Sequence, residues 1–406
     1  MRGGNGLALL LIGLVVTVPL PARAQAVGEV SVDELVARAL VDNPDLKAAR
    51  LEVDASAGRL QQAGLRPNPM LELGGQKALS PDNNLTVGIS LPLDLNGRKE
   101  GRVGVAAREI ETRRRQVAER ERQVRAEVRM KAGELLAAQR NLRVTDELLG
   151  VNRSALDVVG TRVRHGAAPS LDEGLLLVEV NRLDANRQLA QSRVEIAALQ
   201  LKLLAGMAPD ASLTLKGELA LPPLALDLVG ATERAVSDRP DLAVARSEAA
   251  MAAAMVKKEE AEGLTATGGT RPIQDVFHYF GGGVSIVLPL RNRNEGNVAA
   301  ARAATRAAER RVEFAVLTVQ QEVGAAFTQY EAARRSLDIY ERGVRDLARR
   351  NLDVIRQAYQ LGRGSLLDVI AEQRRLIDVE NGYTDALKQV YDAAVGIERA
   401  VGTGAR

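Results

Sequence analysis

The chain has no cysteine and no tryptophan, only two histidines, and ten aromatic residues (four Phe and six Tyr) among 406. Without thiols there is no zinc finger, iron–sulfur cluster, thiol nucleophile or disulfide framework, and no cysteine through which the exported protein could be acylated. His165 and His278 lie far apart, so they do not supply the clustered ligands of a metal site. So few aromatics cannot fill a conventional globular core. A charge of one sign is missing too: 55 Lys+Arg oppose 52 Asp+Glu. Arg2 and Arg23 fall in the first 24 residues, which leaves 53 cations against 52 anions beyond them. A nucleic-acid partner needs a clustered cationic excess, and this balance excludes one. Runs such as Arg113-Arg114-Arg115 and Lys257-Lys258-Glu259-Glu260 are interleaved with acids and read as solvated helix flanks. No P-loop, HExxH, GxSxG or dinucleotide fingerprint occurs, and Gly281-Gly282-Gly283 falls inside a predicted strand, where it cannot cradle a phosphate. No catalytic residue, bound metal or cofactor is expected, and the chain does not read as an enzyme.

Beyond the N-terminus no apolar run is long enough for a transmembrane helix, which takes about 20 residues. The N-terminus itself combines Met1-Arg2, the apolar run Leu7–Leu20 and the small-x-small sequence Ala22-Arg23-Ala24. This is the pattern of a secretory signal, residues 1–24, with the mature chain starting at Gln25.

The mature chain is one pattern written twice. Asn43-Pro44-Asp45-Leu46 returns as Arg239-Pro240-Asp241-Leu242, Leu91-Pro92-Leu93 as Leu288-Pro289-Leu290, and Gly166…Asp172 as Gly362…Asp368, all at an offset of 196 or 197. It therefore divides into a first repeat, 25–207, a linker, 208–225, carrying Pro209, Pro222 and Pro223, and a second repeat, 226–406.

Each repeat mixes long helix with a little strand. From Arg98 to Arg164 there is no proline, and Val103, Ile110, Val117 and Val124 recur every seven residues. After a four-residue step the series resumes at Val128 and runs through Leu135, Leu142, Leu149, Leu156 and Val163, with Leu176, Leu183, Ala190, Ala197 and Leu204 on the return. In the second repeat, Val319, Ala326, Ala333, Tyr340, Leu347, Val354 and Leu361 predict one unbroken seam, and Val369, Leu376, Tyr383, Val390 and Ile397 the next. Sevens sustained this long predict coiled coils, with a stutter at the step of four. At 1.5 Å per residue the first rod would be about 100 Å long. Hairpins are predicted at about 69–94 (Met70–Gln76 and Leu85–Leu93, turning at Ser80–Asn84) and about 264–290 (Leu264–Thr270 and Phe277–Leu290, turning at Arg271–Asp275). Strands of roughly 9–11 residues suffice to cross an outer membrane. Isolated two-stranded hairpins are barely stable in water. Closing into a barrel with other copies satisfies their edges.

Helix–hairpin–long-helix halves in duplicate resemble the TolC family of outer-membrane efflux ducts. So do the turns Gly166-Ala167-Ala168-Pro169-Ser170-Leu171-Asp172 and Gly362-Arg363-Gly364-Ser365-Leu366-Leu367-Asp368 and the strand-ending Leu-Pro-Leu. Leu65-Arg66-Pro67-Asn68-Pro69, Leu93-Asp94-Leu95-Asn96-Gly97-Arg98 and Arg291-Asn292-Arg293-Asn294-Glu295-Gly296-Asn297 are similar to its CzcC-like heavy-metal branch. The resemblance implies a mainly α fold with a small β part: a homotrimer whose coiled coils form a periplasmic tunnel and whose four strands per protomer enter one outer-membrane barrel. It implies a passive exit duct, embedded in outer-membrane lipid. The duct would be joined by a periplasmic adaptor to an inner-membrane pump of the RND type, with heavy-metal cations as cargo. Drug export and type I protein secretion are the alternatives within that class, and a pore-free periplasmic coiled-coil scaffold is the alternative outside it. The resemblance further implies adaptor contacts at the helical tips, at Gly166, Ser170, Asp172, Gly362 and Ser365. Its acidic tunnel ring would fall on Asp368. A second acid is expected three residues later, but Ala371 stands there, and Glu372 is displaced by one. Asp172 and Asp368 also suit the favourable placement of an acid near a helix start.

Overall fold

The computed structural model describes residues 29–77, 83–220, 227–262, 265–274, 278–287 and 290–402. The signal segment, much of the first hairpin turn, Phe277 and the Leu288-Pro289 pair lie outside them. The first repeat consists of α1 (Val32–Asp42), α2 (Pro44–Gly64), β1 (Met70–Lys77), β2 (Asn83–Leu93), α3 (Arg98–Arg164) and α4 (Ser170–Leu204). The second runs α5 (Leu228–Asp238), α6 (Pro240–Ala261), β3 (Thr265–Gln274), β4 (His278–Val287) and α7 (Glu295–Ile339). A π-turn (Tyr340–Val344), α8 (Arg345–Gln360) and α9 (Leu366–Val401) complete it.

Local chemistry sets these boundaries. Ser31 and Glu34 form a reciprocal capping box at α1, and Asn43 caps α2, whose first residue is Pro44. The 67-residue α3 covers the expected rod from end to end. Val124 and Val128, on either side of the four-residue step, are both fully buried, so the seam survives the stutter. They join a core in which α3 meets α9, where Gly133 makes room for Tyr391: a Cβ on Gly133 would lie 2.6 Å from two of the ring carbons.

The second rod departs from the single seam predicted for it. Val319, Ala326, Ala333 and Leu337 are buried, but Leu347, Val354 and Leu361 are 54, 64 and 71% exposed, and Ala348 and Leu352 are buried in their place. The cause is the π-turn at Tyr340–Val344. Its wider turn holds an extra residue and rotates everything after it relative to the seam. Gly382 of α9 accommodates the displaced Tyr340, since a Cβ there would meet the phenol oxygen at 2.6 Å. A heptad in the sequence therefore carries on past the point where the helix leaves it.

The strands form one antiparallel sheet in the order β1-β2-β3-β4, and the β2–β3 pairing joins the two repeats. β3 extends beyond its expected end: Arg271 pairs with Gly281 and Gln274 with His278, so four of the five residues expected to turn are paired strand instead, and the fifth, Asp275, lies outside the described residues. Pro272 sits within β3, where the β2–β3 ladder pairs Thr86 with Ile273 and Ile89 with Thr270 and passes over the residue that has no N–H to give.

The register separates the faces. Leu73 opposes Val87, Leu71 opposes Ile89, Leu91 opposes Gly268 and through it Val284, and Leu93 opposes Ala266 and through it Ile286. Leu71, Leu73, Val87, Ile89, Leu91, Val284 and Ile286 on this face are all exposed. The other face carries Glu72, Gly74, Thr86, Ser90, Thr267 and Ser285, with Thr86 and Ser90 buried; its exposed aliphatics, Met70 and Val287, stand at the helix-side ends of β1 and β4. Aliphatic out and polar in, with a period of two, is the signature of a barrel wall in lipid. Among the described residues no helix is long and apolar enough to cross a membrane.

Candidate functional site: the helical tips

The rods reverse at two turns built alike. In the first, Gly166 N–H donates to Val163 O (2.9 Å) and Ala167 N–H to Arg162 O (2.7 Å). In the second, Gly362 N–H donates to Tyr359 O (3.0 Å) and Arg363 N–H to Ala358 O (2.8 Å). Both glycines are left-handed, with φ of 68° and 70°. This is the paired C-terminal motif that leaves a helix through a glycine.

Past each glycine the two turns diverge. In the second turn Ser365 caps α9: its hydroxyl accepts from the Asp368 N–H (3.2 Å), while the Asp368 carboxylate accepts from the Ser365 N–H (3.1 Å) and hydroxyl (2.7 Å). Those hydrogen bonds from the Ser365 side chain and backbone hold the Asp368 carboxyl below its ordinary pKa. In the first turn Pro169 stands at the capping position with no side-chain bond to give, and Ser170 is the exposed first residue of α4. Asp172, freed from capping, accepts a hydrogen bond from the Tyr359 hydroxyl of α8 at 3.2 Å. Burial and then the Asp172 charge push the Tyr359 phenol up. One acid thus closes its own helix, and its counterpart ties the two repeats together.

Behind the tips, Val159, Leu176, Leu352, Leu366, Val369 and Ile370 join α3, α4, α8 and α9 in one apolar cluster. A cleft of about 350 Å³ opens over it, with α3 and α8 as its rims and α9 as its floor. Val151 and Val158 stand exposed on the α3 rim, 46 and 60% accessible. The buried amides of Asn152 and Gln373 line the cleft, each with a side-chain oxygen that has no partner.

Higher in the wall are two buried carboxylates. Glu179 receives Arg182 at 2.6 Å and Arg374 at 2.7 Å. Glu380 receives Arg349 at 2.7 Å, Arg345 at 3.2 Å and Arg140 at 3.3 Å, while Arg345 stacks 4.0 Å from the centre of the Tyr383 ring. Burial alone would raise the Glu380 pKa, but the hydrogen bonds from Arg349 and Arg345 outweigh it and hold the carboxyl low. Glu372 is buried at 5% exposure, bound by Arg375 at 3.0 Å. Asp368 and Glu372, read together from the sequence, therefore sit in different surroundings. Sequence reasoning missed Tyr359 and Glu380; the contrast between Pro169 and Ser365 in aligned turns was the signal that could have found the first. His165 lies beside the first turn, its Nδ1 2.7 Å from Thr161 O. No group of three or more potential metal ligands occurs among the described residues.

The pattern of an outer membrane efflux protein matches twice, over residues 35–207 and 231–403. The chain belongs to that family. The efflux protein is 25% identical over 385 residues to the cobalt-zinc-cadmium resistance protein CzcC of Cupriavidus metallidurans, covering 93% of this chain and 91% of that one. It superposes on the outer-membrane channel OprN with a TM-score of 0.75 at 19% identity, covering 92% of this chain and 90% of that one. On CusC the TM-score is 0.74 at 17% identity, with 96 and 98% covered. The protein is an outer-membrane duct for efflux, and its family is one of passive channels.

Proposed function

We propose that three copies close into one duct that carries heavy-metal cations out of the periplasm, coupled through an adaptor to an inner-membrane pump of the RND type. The observation that carries the closure is the sheet: an aliphatic exposed face between two edges, β1 and β4, that have no strand partner among the described residues. Pairing β4 of one copy with β1 of the next would complete a barrel. The rods favour the same closure. Leu171, Val178, Leu189, Ile196 and Leu203 are exposed along α4, and Leu347, Val354 and Leu361 along α8 and its C-cap. Two different apolar edges on one molecule suit a head-to-tail contact, the kind from which closed rings are built when the rotation between copies closes.

Export through the signal at 1–24, without lipidation, would deliver the chain, with the hairpin turns outside the cell and Gly166 and Gly362 deep in the periplasm. The tip residues Gly166, Ser170, Asp172, Gly362 and Ser365 would meet the adaptor, and the cleft behind them offers apolar rims with two amide oxygens for a donor from that partner. Asp368, repeated three times about the axis, would form an acidic mouth. The heavy-metal cargo rests on the likeness to CzcC and on the motifs around the strands; drug or protein export is the other reading of the same duct. Deletion of the gene should sensitise cells to cobalt, zinc or cadmium, with step conductance and a heat-sensitive trimer from the purified protein. A pore-free monomer would sink the duct, and unchanged metal tolerance beside lost drug tolerance would sink the cargo.

A further inference from the structure

We propose that Arg375 forms a cationic girdle just inside the Asp368 mouth, so that the entrance is a stack of opposite charges that scarcely separates cations from anions at low salt. This deepens the ring-closed reading above and rests on it. On α9, Asp368, Ala371 and Arg375 are exposed, whereas Val369, Ile370, Glu372 and Gln373 are buried. Seven residues bring a side chain back to within about 20° of the same line and about 10.5 Å further along the helix. Arg375 therefore stands directly behind Asp368, with uncharged Ala371 between them. Its neighbour Arg374 points elsewhere and binds Glu179 of α4. Arg375 is bound by Glu372 of its own helix, yet its side chain is 75% exposed while that of Glu372 is only 6% exposed. The guanidinium is thus the outermost charge of the pair.

The shape of the wall says which way this line faces. On one side α3 and α8 stand apart as the rims of the cleft, with α9 recessed between them. On the other side α9 itself is exposed along Asp368 and Arg375. When such walls close into a ring, the side where helices splay becomes the convex outside, because its circumference is the longer. The Asp368–Arg375 line is then left on the concave inner side.

At 0.15 M salt the Debye length is about 8 Å, close to the separation of the two girdles, so their fields overlap; at 1 M it is about 3 Å and they act separately. A unit charge about 8 Å from an ion in water, screened at 0.15 M, changes its local population about 1.4-fold, and three together about threefold. Reversal potentials across planar bilayers with asymmetric potassium chloride test this. The wild type should be weakly selective near 0.1 M salt. Arg375→Gln should raise the cation-to-anion permeability ratio about sevenfold, since cations rise and anions fall by that factor together, and further because it leaves Glu372 unpaired. Arg375→Lys should keep the wild-type ratio, and Asp368→Asn should turn the pore toward anions. Arg375→Cys, in a chain without other thiols, should react with a negatively charged thiosulfonate added to the bath and shift selectivity toward cations. A wild type that forms no pores would remove the duct itself. Pores that respond to Asp368→Asn but not to Arg375→Gln, with Arg375→Cys unreactive, would overturn the Arg375 girdle and leave the duct standing.

Discussion

Gly133→Ala sets two effects of known sign against each other inside the tunnel wall. In a helix interior, replacing glycine with alanine gains about 1 kcal/mol. At Gly133 the new methyl would fall 2.6 Å from two carbons of the Tyr391 ring, about 1 Å inside the usual 3.5–4.0 Å carbon contact. Tyr391 is 8% exposed within the core shared by α3 and α9 and has little room to withdraw. Overpacking of this kind costs about 1–3 kcal/mol; with two close contacts the upper part of that range applies, and the net effect is a destabilisation of about 2 kcal/mol. Gly58 in α2 is the control, because nothing lies within 4 Å of its Cβ position. Gly58→Ala should stabilise the protein by up to about 1 kcal/mol. Thermal unfolding in detergent, followed by far-ultraviolet circular dichroism, should move in opposite directions for the two variants. Tyr391→Leu combined with Gly133→Ala should recover part of the loss, as expected when two residues share one space. If Gly133→Ala melts at or above the wild type, the tight α3–α9 approach is wrong.

Tyr359→Phe removes the bond to Asp172, worth about 1 kcal/mol for a half-exposed pair, and should make the tips separate about fivefold more often, read as spin-label distances between α4 and α8; unchanged distances would mean that the apolar cluster alone holds them. For Glu380 the folded pKa lies below the unfolded one, so its stabilisation is present above the ordinary carboxylate range and is lost as pH falls through the depressed value. Glu380→Gln should therefore flatten the acid limb of the stability profile, and a variant with the wild-type acid limb would refute that. Ile89→Lys, on the aliphatic face, should cost about 2–4 kcal/mol near mid-bilayer and reduce assembled protein in the membrane. Ser285→Lys, on the polar face, should be tolerated.

Much of the helical plan can be read from the residues because coiled coils write their geometry into the sequence every seven positions. The span from Arg98 to Arg164 is the clearest case. The π-turn cannot be read in the same way, since Leu347, Val354 and Leu361 keep the heptad while the backbone leaves it. In the hairpins, glycines at 268, 269 and 281–283 hide the alternation, and only the register shows that Leu91 and Val284 share a face across Gly268. Proline usually ends a strand, so the residues alone predict that β3 stops short of Pro272; the ladder instead steps over it. At the tips, the identical spacing of Asp172 and Asp368 suits both to the same local place near a helix start. The single exchange of Ser365 for Pro169 decides otherwise, because one side chain can hold a carboxylate and the other cannot.

The four-stranded sheet has a cost before it has a use. A newly exported chain carries an oily surface and two lines of open hydrogen-bonding groups that none of its described residues covers. Each edge is also a template for whatever strand arrives first, including the wrong edge of another copy. Entry into the membrane and meeting other copies are therefore one event for this molecule, not two. Its yield should climb steeply with the supply of chains and fall when chaperones that shelter exposed strands are scarce. The sheet thus makes folding a social act, and the concentration of its own kind becomes part of what the sequence needs in order to reach its structure.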